Sequence, residues 1–154
     1  MEIELYDGPR TDIAWSFREA EDSETLLAGY LELGQVWVAR DADGEVIGHL
    51  QTVPRDDGGT WEVTNTAVVE KARGQGVGRR LLEEAVADAR RAGVSRVVLA
   101  TGAADIGNLR FYQRCGFRMT HVVQDYFGPA HGYPDDLVFD GIPLRDQVWF
   151  ERRL

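Results

Sequence analysis

The sequence is poor in the residues that would place it in several large classes of protein. Its 154 residues include one cysteine, Cys115. An internal disulfide framework is excluded, and a reducing compartment, the cytoplasm, is the expected setting. The histidines, His49, His121 and His131, are scattered, and with one cysteine they offer no metal-ligand spacing, so no metal is expected. No run approaches the ~18 uninterrupted apolar residues of a membrane span. The first residues, MEIELYDGPR, have neither the basic nor the apolar region of a secretory signal, and none is expected. Basic residues are also in the minority, 17 Lys and Arg against 26 Asp and Glu, for a net charge of −9. That balance opposes nucleic acid as the main partner, suits cationic partners and keeps a surface soluble. No repeat, linker or low-complexity tract divides the chain. Hydrophobic residues make up 44% of it, enough for one core, so a single domain over residues 1–154 is expected.

The patterning predicts a mixed α/β domain of order β-αα-βββ-α-β-α-ββ. EIEL reads as a first strand. DIAWSFREAEDSETLLAGYLELG reads as helices broken near AEDS, with Asp22 or Ser23 capping the second. QVWVARDADGEVIGHLQTV is a hairpin turning at Asp43 and Gly44. TWEVTNTAVVE is a fourth strand. Apolar residues at Val77, Leu81, Leu82, Ala85, Val86 and Ala89 have helical spacing, and Gly93 suits the position just past the helix end. SRVVLAT is a buried-type strand, and DIGNLRFYQRC a short helix stopped by Gly116. FRMTHVVQDYF and RDQVWFERRL are two more strands, joined by the irregular segment GPAHGYPDDLVFDGIPL.

The stretch VVEKARGQGVGRRLL places Gly74, Gly76 and Gly78 between a strand and a helix. Glycine lets backbone N–H groups approach a ligand where a Cβ would block them. The helix N-terminus adds unpaired donors and partial positive charge, which together make a phosphate site. Arg73, Arg79 and Arg80 add cationic side chains. A tight strand-to-helix turn needs only one glycine. The P-loop spacing fails for want of its Lys-Ser or Lys-Thr pair. The dinucleotide fingerprint fails because the spacing is G-x-G-x-G and the next strand ends in Ala100-Thr101-Gly102 without an acidic residue. The pattern that fits is [Q/R]-x-x-G-x-[G/A], met by Arg73, Gly76 and Gly78.

At this motif the sequence resembles the GNAT superfamily of acyl-CoA-dependent N-acetyltransferases. FYQRCGF, Phe111 to Phe117, is similar to that family's second motif. The element order matches over essentially the whole chain, and GIPLRDQVWFERRL is similar to the tail of a subset of small bacterial members. The resemblance implies a GNAT-type fold, a mostly antiparallel mixed sheet flanked by helices. It implies acetyl-CoA as cosubstrate, its pyrophosphate held by the backbone of Arg73, Gly74, Gln75, Gly76, Val77, Gly78 and Arg79. It implies that the backbone of Thr66, Ala67 and Val68, on a strand that splays from the next, pairs with the pantetheine arm. Tyr112 matches the family tyrosine near the thioester sulfur, an acid for the departing thiolate. The family often has an asparagine seven residues before that tyrosine; here the position is Asp105, with Asn108 one turn on. Both are candidate donor contacts, Asp105 equally a helix cap.

Acetylating an alkylamine of pKa ~10.4 requires a proton acceptor, because the amine is charged at neutral pH. Glu62 is the candidate base. It lies eleven residues before Arg73, at the offset where several family members place a glutamate. Strand alternation is expected to put it on a face with Thr64, Thr66 and Val68, and burial beside Trp61 and Val63 to raise its pKa, a water chain being the other route. A glutamate salt-bridged at a sheet edge is the competing reading. Asp125 and Tyr126 are candidates for lining the acceptor pocket, and the histidines are expected to be ordinary polar residues. The expected partner is a small amine acceptor, with no nucleic acid and no membrane. A homodimer through exposed Trp149 and Phe150 is compatible with the family. Two alternatives stay open: a non-catalytic acyl-CoA-binding module, and an enzyme acting on protein N-termini or lysines, which needs a groove that GPAHGYPDDLVFDGIP, read as a wall, would close.

Overall fold

A computed structural model describes residues 1–154. A seven-stranded sheet has the order β1-β2-β3-β4-β5-β9-β6, formed by β1 (Glu2–Leu5), β2 (Gln35–Arg40), β3 (Val46–Pro54), β4 (Thr60–Val68), β5 (Arg96–Gly102), β6 (Arg118–Val123) and β9 (Gln147–Arg153). A separate two-stranded hairpin, β7 (Val138–Phe139) with β8 (Ile142–Pro143), lies in the segment read from sequence as irregular. All pairs in the large sheet are antiparallel except β4 with β5. That pair is joined by α3 (Val77–Arg91), as a parallel crossover requires.

α3 forms because its apolar residues fall on one stripe. Val77, Leu81, Leu82, Ala85, Val86 and Ala89 are all buried. The helix ends where Gly93 adopts φ +79°: the Gly93 amide donates to the Arg90 carbonyl and the Val94 amide to Ala89. This double closure is a Schellman end, which a left-handed glycine permits. α3 and α4 (Ile106–Arg114) cover one face of the sheet, sharing a core of 19 buried residues that includes Leu50, Val63, Leu99, Tyr112 and Phe150. α1 (Ala14–Arg18) and α2 (Glu24–Tyr30) cover the other face only over β2 to β4, around Ile13, Phe17, Leu27, Val36 and Val38. The Ser23 hydroxyl accepts from the Leu26 amide and caps α2.

Two expectations about the last strand need correcting. Phe150 is fully buried at 0% exposure and packs in the α3 core. Trp149 points to the opposite face, half-buried, with the Arg55 guanidinium 5.0 Å from its ring centroid and His121 stacked beside it. The exposed apolar residues of this sheet edge are instead Met119 and Val122, on β6.

Candidate active site

The parallel pairing of β4 with β5 is short. It runs from Thr60 opposite Arg96 to Val63 opposite Leu99 and stops. β4 continues to Val68 and β5 to Gly102, so the two strands diverge and leave a V-shaped opening in the sheet. The cause lies on the other side of β4. Gln51 of β3 faces Asn65 while Thr52 faces Val63, which leaves Thr64 as an extra residue, a β-bulge. A bulge bends its strand and sharpens its twist. Thr66, Ala67 and Val68 stay paired to Leu50, His49 and Gly48, so their other edge faces the opening.

The bulge also overturns the expected face of Glu62. Trp61, Val63 and Val68 pack on the α3 side. Asn65, one residue past the bulge, bonds the Phe17 carbonyl and Tyr30 hydroxyl on the α1/α2 side, and Thr64 donates to Gln51 there. Glu62 therefore shares a face with Thr64 and Asn65, and Thr66 and Val68 lie on the other. Trp61 and Val63 do not bury its carboxylate. Instead Arg55 donates to Oε1 through Nη2 at 3.0 Å and Nε at 3.2 Å, and Oε2 has no protein partner. Glu62 lies opposite Val98, one pair before the strands part, at the apex of the opening. Beside it, a cleft of about 340 Å³ is lined by Arg55, Arg96, Val98, Thr120, His121 and Trp149.

At the wide end of the opening the chain leaves β4 and enters the glycine turn. Gly74 and Gly76 have φ of +76° and +81°, and a Cβ on either would meet nothing within 4 Å. Here glycine serves the backbone conformation, not close packing. At Gly78 a Cβ would lie 3.4 Å from the Phe111 ring and 3.7 Å from Val68, an ordinary contact, so neither packing nor backbone conformation demands glycine there. The first intrahelical bond of α3 runs from the Arg80 amide to the Gly76 carbonyl. The amides of Val77, Gly78 and Arg79 thus lack intrahelical partners, and those of Gly74, Gln75 and Gly76 donate to no backbone carbonyl. Six consecutive N–H groups at a helix N-terminus form an anion cradle. The Arg73 side chain folds back to the Val68 carbonyl at 3.1 Å and Gln75 to the Lys71 carbonyl at 3.3 Å, while Arg79 stays exposed.

Tyr112 lies on the α3/α4 side of the sheet, 5% exposed and wedged among Phe111, Phe117 and Phe150. Its hydroxyl has no protein partner, yet the indole nitrogen of Trp37 is the one fully buried polar side-chain atom without one, so the hydroxyl keeps a path outward. Burial, with Asp105 and then Cys115 adding to it, raises its pKa above the usual phenol range. The structure gives Asp105 the capping role: its carboxylate accepts from the Asn108 amide at 3.0 Å. The Asn108 side chain ties α4 to β5 by donating to the Thr101 hydroxyl at 3.1 Å. Cys115 is buried, and burial raises its thiol pKa, opposing thiolate formation. No cluster of three His, Cys, Asp or Glu side chains is arranged to hold a metal, and no helix is long and apolar enough to cross a membrane.

Sequence reasoning missed a polar network on the α1/α2 side. His49, expected to be an ordinary polar residue, is fully buried, with a pKa lowered to about 4 by burial. Asn65 turns its nitrogen to the Phe17 carbonyl, so Nε2 of the neutral ring donates to the Asn65 side-chain oxygen at 2.7 Å and Nδ1 accepts from Ser16 at 2.6 Å. Asn65 Nδ2 donates to the Tyr30 hydroxyl at 2.9 Å, and Tyr30 donates to Glu21 Oε1 at 3.0 Å. Tyr133, from the segment before β7, donates to Glu21 Oε2 at 2.9 Å. Beside it Tyr126 stacks on His131 and is half-buried. Asp125 instead makes an exposed ion pair with Arg145. Nothing local in the sequence links Glu21 to Tyr133; only the fold brings them together.

Comparison with known proteins agrees with this geometry. The sequence profile of the acetyltransferase (GNAT) family matches residues 4–117. The uncharacterized N-acetyltransferase YvbK of Bacillus subtilis is 31% identical over 151 residues, 96% of this chain and 93% of that protein. A Bacillus subtilis acetyltransferase solved in complex with CoA superposes with a TM-score of 0.88 at 30% identity, covering 99% of this chain and 97% of that one. A GNAT family acetyltransferase from Elizabethkingia anophelis, solved with acetyl-CoA bound, gives 0.87 at 29% identity with 99% and 97% coverage. With its splayed β4 and β5, its free amides at the start of α3 and a family match over most of its length, the chain belongs to the acetyltransferase (GNAT) family and is an acyl-CoA-dependent N-acetyltransferase.

Proposed function

We propose that this acetyltransferase delivers the acetyl group of acetyl-CoA directly to the primary amine of a small molecule in the cytoplasm. In this reading the amides of residues 74–79 hold the pyrophosphate, and Thr66, Ala67 and Val68 offer their open strand edge to the pantetheine arm. The Asn108 amide group and Asp105 border that path. The thioester then lies in the opening between β4 and β5, with Tyr112 on one side of the sheet and Glu62 on the other.

The division of labour follows from the two surroundings. Tyr112 keeps its proton because a buried phenolate is poorly solvated, so its hydroxyl serves as donor to the departing thiolate. Glu62 Oε2 has no protein partner and is available to an ammonium group or to a water that carries its proton. Arg55 holds the other oxygen and fixes the carboxylate. The small-acceptor reading rests on one observation. The segment after β6 packs Phe127 and Leu144 against Gly102 at the end of β5 and reaches across to Glu21 through Tyr133. It walls the α1/α2 side of the opening, where a polypeptide acceptor would need an open groove. A screen of small amines and peptides with acetyl-CoA, reading thiol release and product mass together, tests the assignment. Acetylation of peptides and of no small amine would refute it.

A further inference from the structure

The wall has two anchorages of different strength. On the β5/β9 side it is held by backbone bonds: Phe127 donates to the Arg145 carbonyl, and Ala103 to Asp146. At the far side, the polar side-chain tie from this segment to the body of the protein is the Tyr133 hydroxyl on Glu21. Glu21 lies in the short non-helical link between α1 and α2, and its carboxylate also accepts from the Ser23 amide at 3.2 Å and from Tyr30. Tyr30 is fixed in turn by Asn65 of β4, next to the Thr64 bulge that opens the sheet.

The direction of every bond in this chain is set by its buried end. The Phe17 carbonyl can only accept, so Asn65 turns its nitrogen there and to Tyr30 and accepts from neutral His49 through its oxygen. Tyr30 accepts from that nitrogen and has a single proton left, which goes to Glu21. A carboxylate is acceptor-only, so Glu21 binds the wall by accepting, and Tyr133 supplies the matching O–H. Hydrogen bonds to a charged group are the stronger kind, and removing one partner strands the other.

From this we propose that the Tyr133–Glu21–Tyr30 node is a specificity latch: it holds the 127–137 wall across the acceptor side and excludes chain-like amines. Tyr133 and Glu21 act as positioning residues. The proposal rests on the small-acceptor reading above.

The test uses Tyr133→Phe, which removes only the donating hydroxyl and keeps the ring that packs edge-on against Phe127. Glu21→Gln is the second variant; it removes the charge and one of the two acceptor oxygens that Tyr30, Tyr133 and the Ser23 amide share. Each variant is assayed against the small amines that the parent accepts and against a lysine-free hexapeptide with a free N-terminus, with coenzyme A affinity and hydrogen exchange of segment 127–137 measured alongside. The expected result is a rise of about tenfold in the peptide-to-small-amine ratio of kcat/KM, as loss of a charged hydrogen bond implies. Exchange of the segment should be faster, with coenzyme A affinity within a factor of about two. A purely structural role would lower both acceptors together and leave the ratio unchanged, which overturns the latch. An unchanged ratio with faster exchange overturns it as well, since the wall would then be loosened without consequence. If the parent already prefers the hexapeptide, the small-acceptor reading fails. The latch then falls with it, since a wall that admits the hexapeptide excludes no chain-like amine; an unchanged ratio in the variants of a parent that prefers small amines overturns the latch alone.

Discussion

Replacing Gly76 with aspartate tests the anion cradle most directly, because the structure separates its two consequences. The first is conformational. Gly76 sits at φ +81° as the N-cap of α3, and a Cβ there has open space. The cost to the fold is therefore that of a left-handed L-residue, about 1–2 kcal/mol, with Asn and Asp among the better tolerated. In a chain of this size that lowers Tm by about 2–8 °C. The second is electrostatic. A carboxylate introduced among the six free amides would repel a phosphate held there, and a separation of ~6 Å between two unit charges sets the scale. At an effective dielectric constant of ~20 two such charges repel by about 2.8 kcal/mol, and at ~40 by about half that. Coenzyme A affinity should fall by roughly ten- to a hundredfold. Gly76→Asn is the matched control, since it carries the same shape and conformational cost without the charge. Calorimetry on the folded variants decides the matter, repeated at high salt, where the gap should narrow. If Asp and Asn bind coenzyme A within a factor of about two of each other, no phosphate sits at these amides and the cradle assignment is wrong.

Three further outcomes follow. Tyr112→Phe should keep coenzyme A affinity and lower kcat by roughly ten- to a thousandfold, as loss of a positioned proton donor does. Because burial raises the Tyr112 pKa, the parent should show no alkaline loss of kcat from phenolate formation in the ordinary tyrosine range; an unchanged kcat in the variant would return Tyr112 to a packing role. Glu62→Gln should abolish the acidic limb of the kcat/KM profile while coenzyme A binding holds. Two acceptors of well-separated amine pKa are needed, and a limb that follows the amine and survives in the variant would show that the amine arrives already deprotonated. His49 should make stability depend on pH in a defined direction: its native pKa of about 4 lies below the ordinary ~6.5, so the unfolded chain binds the extra proton between those values. Its contribution is complete above pH ~6.5 and is lost as pH falls toward 4, by roughly 3 kcal/mol in all; melts across that range on the parent and His49→Gln check it, and equal slopes would refute the burial argument.

Much of this site was legible because local physics determines it. The α3 stripe, the Ser23 cap, the left-handed Gly93 and the glycine turn each depend on residues within a few positions of one another. The same holds for the strand carrying Thr66, Ala67 and Val68. Trp149 and Phe150 show a local signal read against itself. Adjacent strand residues point to opposite faces, so the two could never have been exposed on one side, and the sheet gives Phe150 to the helix-covered face. The parts that were not legible depend on registers between distant segments. The Thr64 bulge exists only relative to β3: two pairs, Gln51 with Asn65 and Thr52 with Val63, leave one residue over. Simple alternation from Glu62 therefore ran correctly to Thr64 and inverted beyond it. The bulge keeps Glu62 and Asn65 on one face despite their odd spacing. Alternation would have placed Asn65 in the apolar α3 core, where its amide would lack partners and carry the penalty of an unpaired buried polar group. On the face it occupies, it meets His49 and Tyr30. The bulge that turns β4 toward the opening thus also provides the polar anchorage from which Tyr30, Glu21 and the Tyr133 wall are built.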